Sequence, residues 1–189
     1  LSSHISPLPR AVCPGVVSQP KMAAPSGDST SRLWACMRKY PPDVNGVNVT
    51  LSEGADVEHR QGGLTPLMWA VSEGHIGLVE GLLGHGADRL ARGPMQETLV
   101  YFAAARGRHA LVEVLAGADC DVNTGTSTMG FTPLHNAAEN GRMEVMRALL
   151  ATGADVSQAT SDGRTALQFA AANNRLEAVK LLIGAGADV

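Results

Sequence analysis

The sequence contains few aromatic residues, few cysteines and no large excess of charge of one sign. Aromatic residues make up 4% of the 189 residues, whereas glycine occurs 21 times and 44% of the chain is hydrophobic. A core of this composition must be built from Ala, Leu and Val, which suits small and closely packed helices. The hydrophobic and charged fractions are typical of a folded domain, so disorder of the whole chain is not expected.

The cysteines and the net charge argue against several classes of protein. Cys13, Cys36 and Cys120 lie far apart and form no Cys-x-x-Cys pair. This pattern argues against a disulfide framework or a zinc site and favours a reducing compartment, so we expect the cytoplasm, with the nucleus as a second location. A net charge of −3 provides no basic field that would attract phosphates, and nucleic acid is therefore not an expected partner.

Long hydrophobic segments are also missing. No apolar run approaches the roughly 20 residues that cross a bilayer, so we expect a soluble chain without a membrane span. Residues 1–29 are rich in Ser, Pro and Gly and have no helical or strand periodicity, and we expect them to be disordered. The sequence "KMAAPSGDS" resembles a natural start at Met22, which would make residues 1–21 a translated leader.

The sequence does contain an internal repeat. Four similar segments, "TPLMWAVSEGH", "TLVYFAAARGR", "TPLHNAAENGR" and "TALQFAAANNR", follow one another at spacings of 33, 34 and 33 residues. They begin at Thr65, Thr98, Thr132 and Thr165. Each segment is followed by a second apolar stretch that ends in Gly-Ala-Asp or a variant of it. The spacing of Leu, Val and Ala predicts two short amphipathic helices in every copy.

These segments resemble the signature of the ankyrin-repeat family, in which Thr-Pro-Leu-His-x-Ala-Ala and Gly-Ala-Asp-Val-Asn recur at about 33 residues. The resemblance implies an all-α fold, an α-solenoid of helix-turn-helix pairs joined by β-turn loops. Residues 30–61 resemble a degenerate first copy, with "SRLWACMRKY" as its first helix. We number this capping copy repeat 1. The four regular copies are repeat 2 (62–94), repeat 3 (95–127), repeat 4 (128–161) and repeat 5 (162–189).

The resemblance also implies a function. Ankyrin stacks bind other proteins on a concave face formed by the turns and the first helices, so we expect a monomeric adaptor or scaffold for one or more proteins, with no enzymatic activity and no cofactor. The chain stops just after a second helix, and we expect the protein to continue beyond Val189. Two alternatives stay open: a regulatory arm of a larger enzyme or receptor whose catalytic or membrane domain lies beyond Val189, and a structural tether without a selective partner.

Several polar residues imitate sites of chemistry. His135 is matched in the other repeats by Met68, Tyr101 and Gln168, none of which could replace an imidazole base or metal ligand. The resemblance assigns this histidine to a hydrogen bond between loops. Cys120 occupies the usual Ala position after a second helix, which indicates a packed thiol rather than a reactive one.

The sequence "DCDVNTG" imitates the start of a calcium-binding loop. Asp119, Asp121 and Asn123 alternate as in an EF-hand, but Thr124 stands where the sharp turn needs Gly and Gly130 stands where a bidentate Glu is needed. We therefore expect no metal. In repeat register, Asp119 replaces the Gly that other copies carry at a left-handed position, which predicts that repeat 3 is the least stable.

One pattern indicates a modification. Leu115, five further residues and then Asp121-Val122-Asn123 resemble the substrate pattern of the asparaginyl hydroxylase that acts on ankyrin repeats. The other repeats offer Leu90, Ser157 or no residue at the Asn position. Asn123 is therefore the candidate for hydroxylation.

The candidate partner-binding residues lie on the turn tips and on the exposed side of the first helices. The tip candidates are Leu64, Glu97, Phe131 and Arg164, and the helix candidates are Glu73, Arg106, Glu139, Asn140 and Asn173. Leu64 and Phe131 are apolar where solvent is expected, which favours an anchor function; the alternative is packing against the neighbouring turn. Trp69, Phe102 and Phe169 recur at one position of the first helix, and we assign them to the core.

Overall fold

The computed structural model describes residues 28–126 and 129–188. Across these residues the chain forms five pairs of helices and no strand, which confirms the all-α prediction. The pairs are α1 (Ser29–Met37) with α2 (Val44–Ser52), α3 (Pro66–Glu73) with α4 (Ile76–Gly84), α5 (Leu99–Ala105) with α6 (His109–Gly117), α7 (Pro133–Asn140) with α8 (Met143–Ala151), and α9 (Ala166–Ala172) with α10 (Leu176–Gly184).

The N-terminal segment that we expect to be disordered differs from the structure at its last two residues. Residues 1–27 lie outside the described part of the chain, but Asp28 is the N-cap of α1 and Ser29 is already helical. The Asp28 carboxylate accepts a hydrogen bond from the backbone N–H of Thr30 at 3.0 Å. This bond satisfies an otherwise unpaired N–H of the first turn, and therefore the helix begins earlier than composition indicates.

Threonine starts the first helix of each regular repeat. The hydroxyls of Thr65, Thr98 and Thr132 each accept a hydrogen bond from the backbone N–H three residues later, at 3.1–3.3 Å. At Thr165 the bond runs the other way, because the Gln168 side chain accepts from the Thr165 N–H at 3.1 Å. The local sequence thus fixes where these helices begin, a contribution of about 1 kcal/mol for each cap.

The same left-handed turns end the helices in successive repeats. Gly74 and Gly141 close α3 and α7 with φ of 89° and 67°. After the second helix, Gly153 has φ 93° and Asp119 has φ 57°. The prediction that Asp119 adopts the left-handed conformation of its glycine counterparts is confirmed.

The core is one continuous layer shared by the repeats. Leucines at equivalent positions of the first and second helices are buried, and full burial of one such side chain contributes about 1.5–3 kcal/mol. They are Leu67, Leu99, Leu134 and Leu167 in the first helices and Leu82, Leu115, Leu149 and Leu182 in the second. Since α7 packs between α5 and α9, and α6 packs against α8, each repeat completes the core of its neighbours.

Arginines join the ends of the first helices. Arg175, at the start of α10, donates a hydrogen bond from Nε to the carbonyl of Glu139 in α7 at 3.2 Å. Arg142 makes the equivalent bond to the carbonyl of Ala104 at the end of α5. A cation at a helix C-terminus is favourable, because it satisfies free carbonyls and opposes the helix dipole.

His135 bridges repeats 4 and 5. Its Nδ1 accepts from the backbone N–H of Thr132 at 3.1 Å, and its Nε2 lies 3.2 Å from the carbonyl oxygen of Arg164. The carbonyl can only accept, so Nε2 carries the proton and the ring is neutral. Burial lowers the pKa of His135, since a charged ring would be poorly solvated there and Nδ1 could no longer accept from Thr132.

The lowered pKa predicts a loss of stability in acid. Because the folded protein has the lower pKa, the unfolded chain binds more protons once the pH falls below about 6.5, and the stability from neutral His135 is lost as the pH falls toward the folded pKa. In the variant His135→Gln, which carries the residue found at Gln168, we expect the difference in unfolding free energy between about pH 7.5 and pH 5.5 to shrink. Urea unfolding at both pH values measures this difference.

The matched control is His109→Gln, because His109 is exposed. We expect it to keep the wild-type dependence on pH. An unchanged pH dependence in His135→Gln would contradict the assignment of a buried neutral imidazole.

Candidate functional site

Four exposed residues occupy equivalent positions at the ends of successive first helices. They are Glu73, Arg106, Asn140 and Asn173, and we call them the first-helix row. Because α3 packs beside α5, α5 beside α7, and α7 beside α9, these residues follow one another across one surface. Their side chains differ in charge while the buried positions around them repeat, so the row varies on a constant scaffold.

The amides of the row are oriented by their own helices. The Asn140 side chain donates from Nδ2 to the carbonyl of Asn136 at 2.8 Å, and Asn173 donates in the same way to the carbonyl of Phe169 at 2.9 Å. Each bond holds the amide close to its helix. The orientation lowers the entropy that these side chains would lose when they contact a partner.

One turn earlier lies a second line of residues at equivalent positions, Trp69, Phe102, Asn136 and Phe169. Phe169 is buried, as we expect for the core, whereas Trp69 and Phe102 are half-buried and pack against the core from its edge. The core assignment of these two rings is therefore only partly correct. Trp69 contacts the rings of Trp34 and His75, with centroids 6.4 Å and 5.9 Å away.

Asn136 is the polar member of this line and is not among the contacts that the repeat pattern predicts. Its Nδ2 donates to the Tyr101 hydroxyl at 3.3 Å. Its Oδ1 is buried and has no hydrogen-bond partner in the described part of the chain. An unpaired buried acceptor costs about 1–3 kcal/mol, so this position lowers the stability of the fold. The available signal was an Asn where the other three regular repeats carry an aromatic ring.

The two apolar tip candidates are not exposed anchors. Leu64 is half-buried and packs against the core. Phe131 is half-buried, and its ring centroid lies 5.5 Å from that of His135 and 5.0 Å from that of Phe169. Phe131 thus packs on the adjacent repeat through Phe169, and Leu64 packs on the core.

The charged tip candidates stabilise their own turns. The Arg164 guanidinium lies 4.3 Å from the ring centroid of Phe169, and its Nε donates to Asp162 at 2.8 Å. Hydrogen bonds, first from Thr160 and then from Arg164, lower the pKa of Asp162. Glu97 accepts a bond from the backbone N–H of Met95 at 2.9 Å. These contacts leave less of each charge available to a partner.

Glu139, the last of the predicted contacts, is half-buried, and its carbonyl is the acceptor for Arg175. Leu90 and Met95 are not among the predicted contacts, although 67% and 62% of their surfaces are exposed in the loop between α4 and α5. An exposed apolar side chain in a loop gives no periodic signal, and so the pattern of the repeat could not identify them.

The modification candidate Asn123 is half-buried and already bonded. Its Oδ1 accepts from the backbone N–H of Asp155 at 2.8 Å, and its Nδ2 donates to the carbonyl of Gly153 at 3.2 Å. The side chain therefore connects repeat 3 to repeat 4.

Three findings bear on other chemistry. Within residues 28–126 and 129–188 no group of three His, Cys, Asp or Glu side chains could hold a metal ion. Cys120 is buried, its Sγ lies 3.7 Å from the carbonyl oxygen of Arg89, and burial raises the pKa of its thiol. No helix of the described residues is long and apolar enough to span a membrane.

Known proteins share the repeat pattern. Of three similar relatives, the palmitoyltransferase AKR1 of Lachancea kluyveri is 30% identical in an alignment of 170 residues, and the match covers 69% of this chain and 22% of that protein. The ankyrin repeat and KH domain-containing protein mask-1 of Caenorhabditis elegans is 35% identical over 58% of this chain and 4% of its own length. The probable E3 ubiquitin-protein ligase XBOS33 of Oryza sativa subsp. japonica is 36% identical over 48% of this chain and 18% of its own.

The chain thus spans less than a quarter of the length of these relatives. Family models match the chain in two places: a single ankyrin repeat over residues 62–94, and ankyrin repeats in three copies over residues 100–189. These matches cover more than half of the sequence and coincide with the helix pairs α3 to α10, and the chain belongs to the ankyrin-repeat family.

Proposed function

We propose that this chain is a protein-interaction module, an adaptor or scaffold, that binds a partner protein along the first-helix row. The observation that carries the proposal is the exposure of Glu73, Arg106, Asn140 and Asn173 at equivalent positions of a repeating scaffold. A surface that varies in charge while its support is constant can select a partner by charge and hydrogen bonding.

Asn136 lies one turn before the row on the same helices, and its buried Oδ1 marks a polar position beside this surface. The tip candidates Leu64, Glu97, Phe131 and Arg164 contribute mainly by shaping the turns, because each contacts its own or the adjacent turn. Glu139 lies beside the row as a secondary contact.

We further propose that this stack has no catalytic role of its own and needs no cofactor. The residues that first resembled catalysts have structural partners: His135 bonds to Thr132 and Arg164, and Cys120 packs below Arg89. Cys36 and Cys120 are free thiols, which supports a reducing compartment such as the cytoplasm or nucleus. A monomer that binds proteins rather than nucleic acid fits the net charge of −3.

A second candidate function is a regulatory arm of a larger enzyme or receptor. Its support is the relative named as a palmitoyltransferase, in which the matching region is 22% of the protein. The two functions share the same binding surface. Sequencing of the full-length transcript separates them, because a catalytic or membrane domain after residue 189 would favour the arm and its absence would favour the adaptor.

We also propose Asn123 as a hydroxylation site. Its side-chain amide bonds to Asp155 and Gly153 in repeat 4, so an enzyme can reach it only when the loop opens. The left-handed Asp119 at the end of α6 makes that opening less costly in repeat 3 than in a repeat with Gly there.

The first-helix row makes a direct prediction about binding. The double variant Arg106→Glu and Asn140→Ala reverses one charge of the row and removes one amide. It should weaken the affinity for a partner that is recovered with the wild-type chain about tenfold or more. Both side chains are exposed, so the substitutions should leave the core intact. Quantitative affinity purification with the full chain, followed by titration of the recovered partner, measures the change.

The matched control is Glu113→Lys on α6, an exposed charge reversal on a second helix. It should leave the affinity within about twofold of wild type. Equal losses in the control, or full binding by the double variant, would contradict the assignment of the row.

The hydroxylation proposal predicts a mass change. After coexpression with the asparaginyl hydroxylase, the tryptic peptide that contains Asn123 should gain the mass of one oxygen atom, and fragmentation should place it on that residue. The Asn123→Asp variant serves as the control for other oxidised positions in the peptide. An unmodified peptide in the presence of active hydroxylase would reject Asn123 as a substrate.

A further inference from the structure

The loops that follow the second helices contain the same turn in four repeats. In each, an Asp carboxylate accepts from the backbone N–H two residues later at 2.8–2.9 Å. The residues whose N–H groups donate are Glu58, Leu90, Asn123 and Ser157. These four residues are therefore structurally equivalent, and their side chains can be compared directly.

Two of these side chains bond to the next repeat. Glu58 accepts from the backbone N–H of Asp88 at 2.7 Å, and Asn123 accepts from that of Asp155 at 2.8 Å. Between repeats 2 and 3 the same position holds Leu90, whose side chain is 67% exposed and has no polar atom. The loop-to-loop bond that joins repeat 1 to 2 and repeat 3 to 4 therefore cannot form between repeats 2 and 3.

A second bridge is also impossible there. His135 joins repeat 4 to repeat 5 through its bond to the Arg164 carbonyl, at 3.2 Å. Its counterpart in repeat 2 is the buried Met68, and a thioether has no N–H or O–H to donate. The joint between repeats 2 and 3 thus carries apolar residues at these two bridging positions, whereas the arginine before the second helix is kept as Arg108, whose side chain lies against Gly74.

The polar contacts that this joint does have are long and solvated. Arg89 donates to the carbonyl of Ala118 at 3.3 Å and lies 3.7 Å from the Asp119 carboxylate, with 52% and 86% of the two charged side chains exposed. The Cys120 sulfur approaches the Arg89 carbonyl at 3.7 Å. Such exposed ion pairs and long contacts contribute little.

Two of the three described non-Gly residues with positive φ lie in repeat 3, beside the same joint, and the third is Asn174 in repeat 5. Gln96 has φ 65° at the position where Gly63 and Gly163 have φ 82° and 80°. Asp119 has φ 57° where Gly153 has φ 93°. Residues with a side chain are less stable than Gly in this conformation, so repeat 3 contains two strained turns, and Gln96 lies in the segment that connects it to repeat 2.

Packing alone does not distinguish this joint. The outer helices α4 and α6 contact each other less extensively than α6 and α8 do, but α8 and α10 contact each other no more, and α1 and α3 contact each other less than α3 and α5 do. A groove lined by Gly74, Ile76, Gly107, Arg108 and Leu111 lies between repeats 2 and 3 where their first helices end. In addition, α4 contains three glycines in nine residues, which weakens the helix that repeat 2 presents to the joint.

From these contacts we infer that the joint between repeats 2 and 3 is a hinge at which the stack opens into an N-terminal unit (30–94) and a C-terminal unit (95–188). In a solenoid, stability is the sum of the repeats and of the interfaces between neighbours, so the weakest interface sets where the two ends separate. The N-terminal unit has two repeats against three and contains the glycine-rich α4, so it is the first to unfold, although the two strained turns lower the stability of repeat 3 within the C-terminal unit.

The hinge has a consequence for binding that rests on the proposed function. Glu73 lies on the N-terminal side of the hinge and Arg106 on the C-terminal side. A partner that contacts both residues holds the joint closed and therefore stabilises the N-terminal unit through mass action.

The two tryptophans allow a test without a partner. Trp34 and Trp69 both lie in the N-terminal unit, so tryptophan fluorescence reports that unit while circular dichroism reports every helix. In urea unfolding of the full chain, the last transition seen by circular dichroism reports the C-terminal unit. We expect the midpoint of the fluorescence transition to lie about 0.5 M urea or more below the midpoint of that transition. Coincident midpoints, or a fluorescence midpoint above the other, would overturn the hinge.

Leu90→Asn tests the cause. The new amide can accept from the backbone N–H of Asp121, the counterpart of Asp155 in the next joint, and should raise the equilibrium constant for closing about fivefold, so that the two midpoints approach each other. An unchanged separation between the two midpoints in Leu90→Asn would overturn the assignment of this joint.

Two matched controls isolate the bridge. Leu90→Ala removes the exposed apolar surface without supplying an acceptor, and Ser157→Asn places the same amide at the joint between repeats 4 and 5. Both should keep the wild-type separation between the midpoints. If either control narrows it as much as Leu90→Asn does, the missing bond is not the cause. Partner binding is not measured in any of these experiments, so their failure is independent of the proposed function.

Discussion

The stacking of each helix pair on its neighbours is the constraint on which the rest of the structure depends. Helices of seven to nine residues are too short to be stable alone in water. A single helix pair also buries only part of its apolar surface within itself. Leu134 and Leu149 are buried because repeats 3 and 5 lie on either side of repeat 4. Positions that face a neighbour are therefore restricted to small and aliphatic residues, while positions that face solvent are free to vary. The proposed binding surface consists of positions that are free to vary in this way.

Local sequence predicted the features that have local causes. The helix pairs follow from the spacing of Leu and Ala, their starts from threonines such as Thr132, and the left-handed turn at Asp119 from its register with glycine. The contacts between repeats were harder to predict. Phe131 packs against His135 because of where the next turn places Phe169, and no spacing within one repeat contains that information.

In the candidate site, too, some features depend on one repeat alone and others depend on contacts with the neighbouring repeats. Exposure of Glu73 and Arg106 at one helical position could be read from the repeat, since the position varies from copy to copy. The unpaired amide oxygen of Asn136 could not, because it depends on a hydrogen bond that the same amide makes to Tyr101 in the preceding repeat. Joints that differ in their polar bridges also differ in stiffness. The residues that bridge neighbouring repeats therefore affect both the shape of the proposed binding surface and the joint at which the stack bends.

Hydrogen exchange of a core variant measures the dependence of each repeat on its neighbours most directly. Leu149→Ala leaves a cavity in α8 and should cost about 2–5 kcal/mol. If stacking holds the fold together, exchange should accelerate in α6 and α10, which contact α8 from the adjacent repeats, as well as in α7 and α8. Acceleration confined to α7 and α8, with the neighbouring helices as protected as in the wild type, would contradict a core shared between repeats.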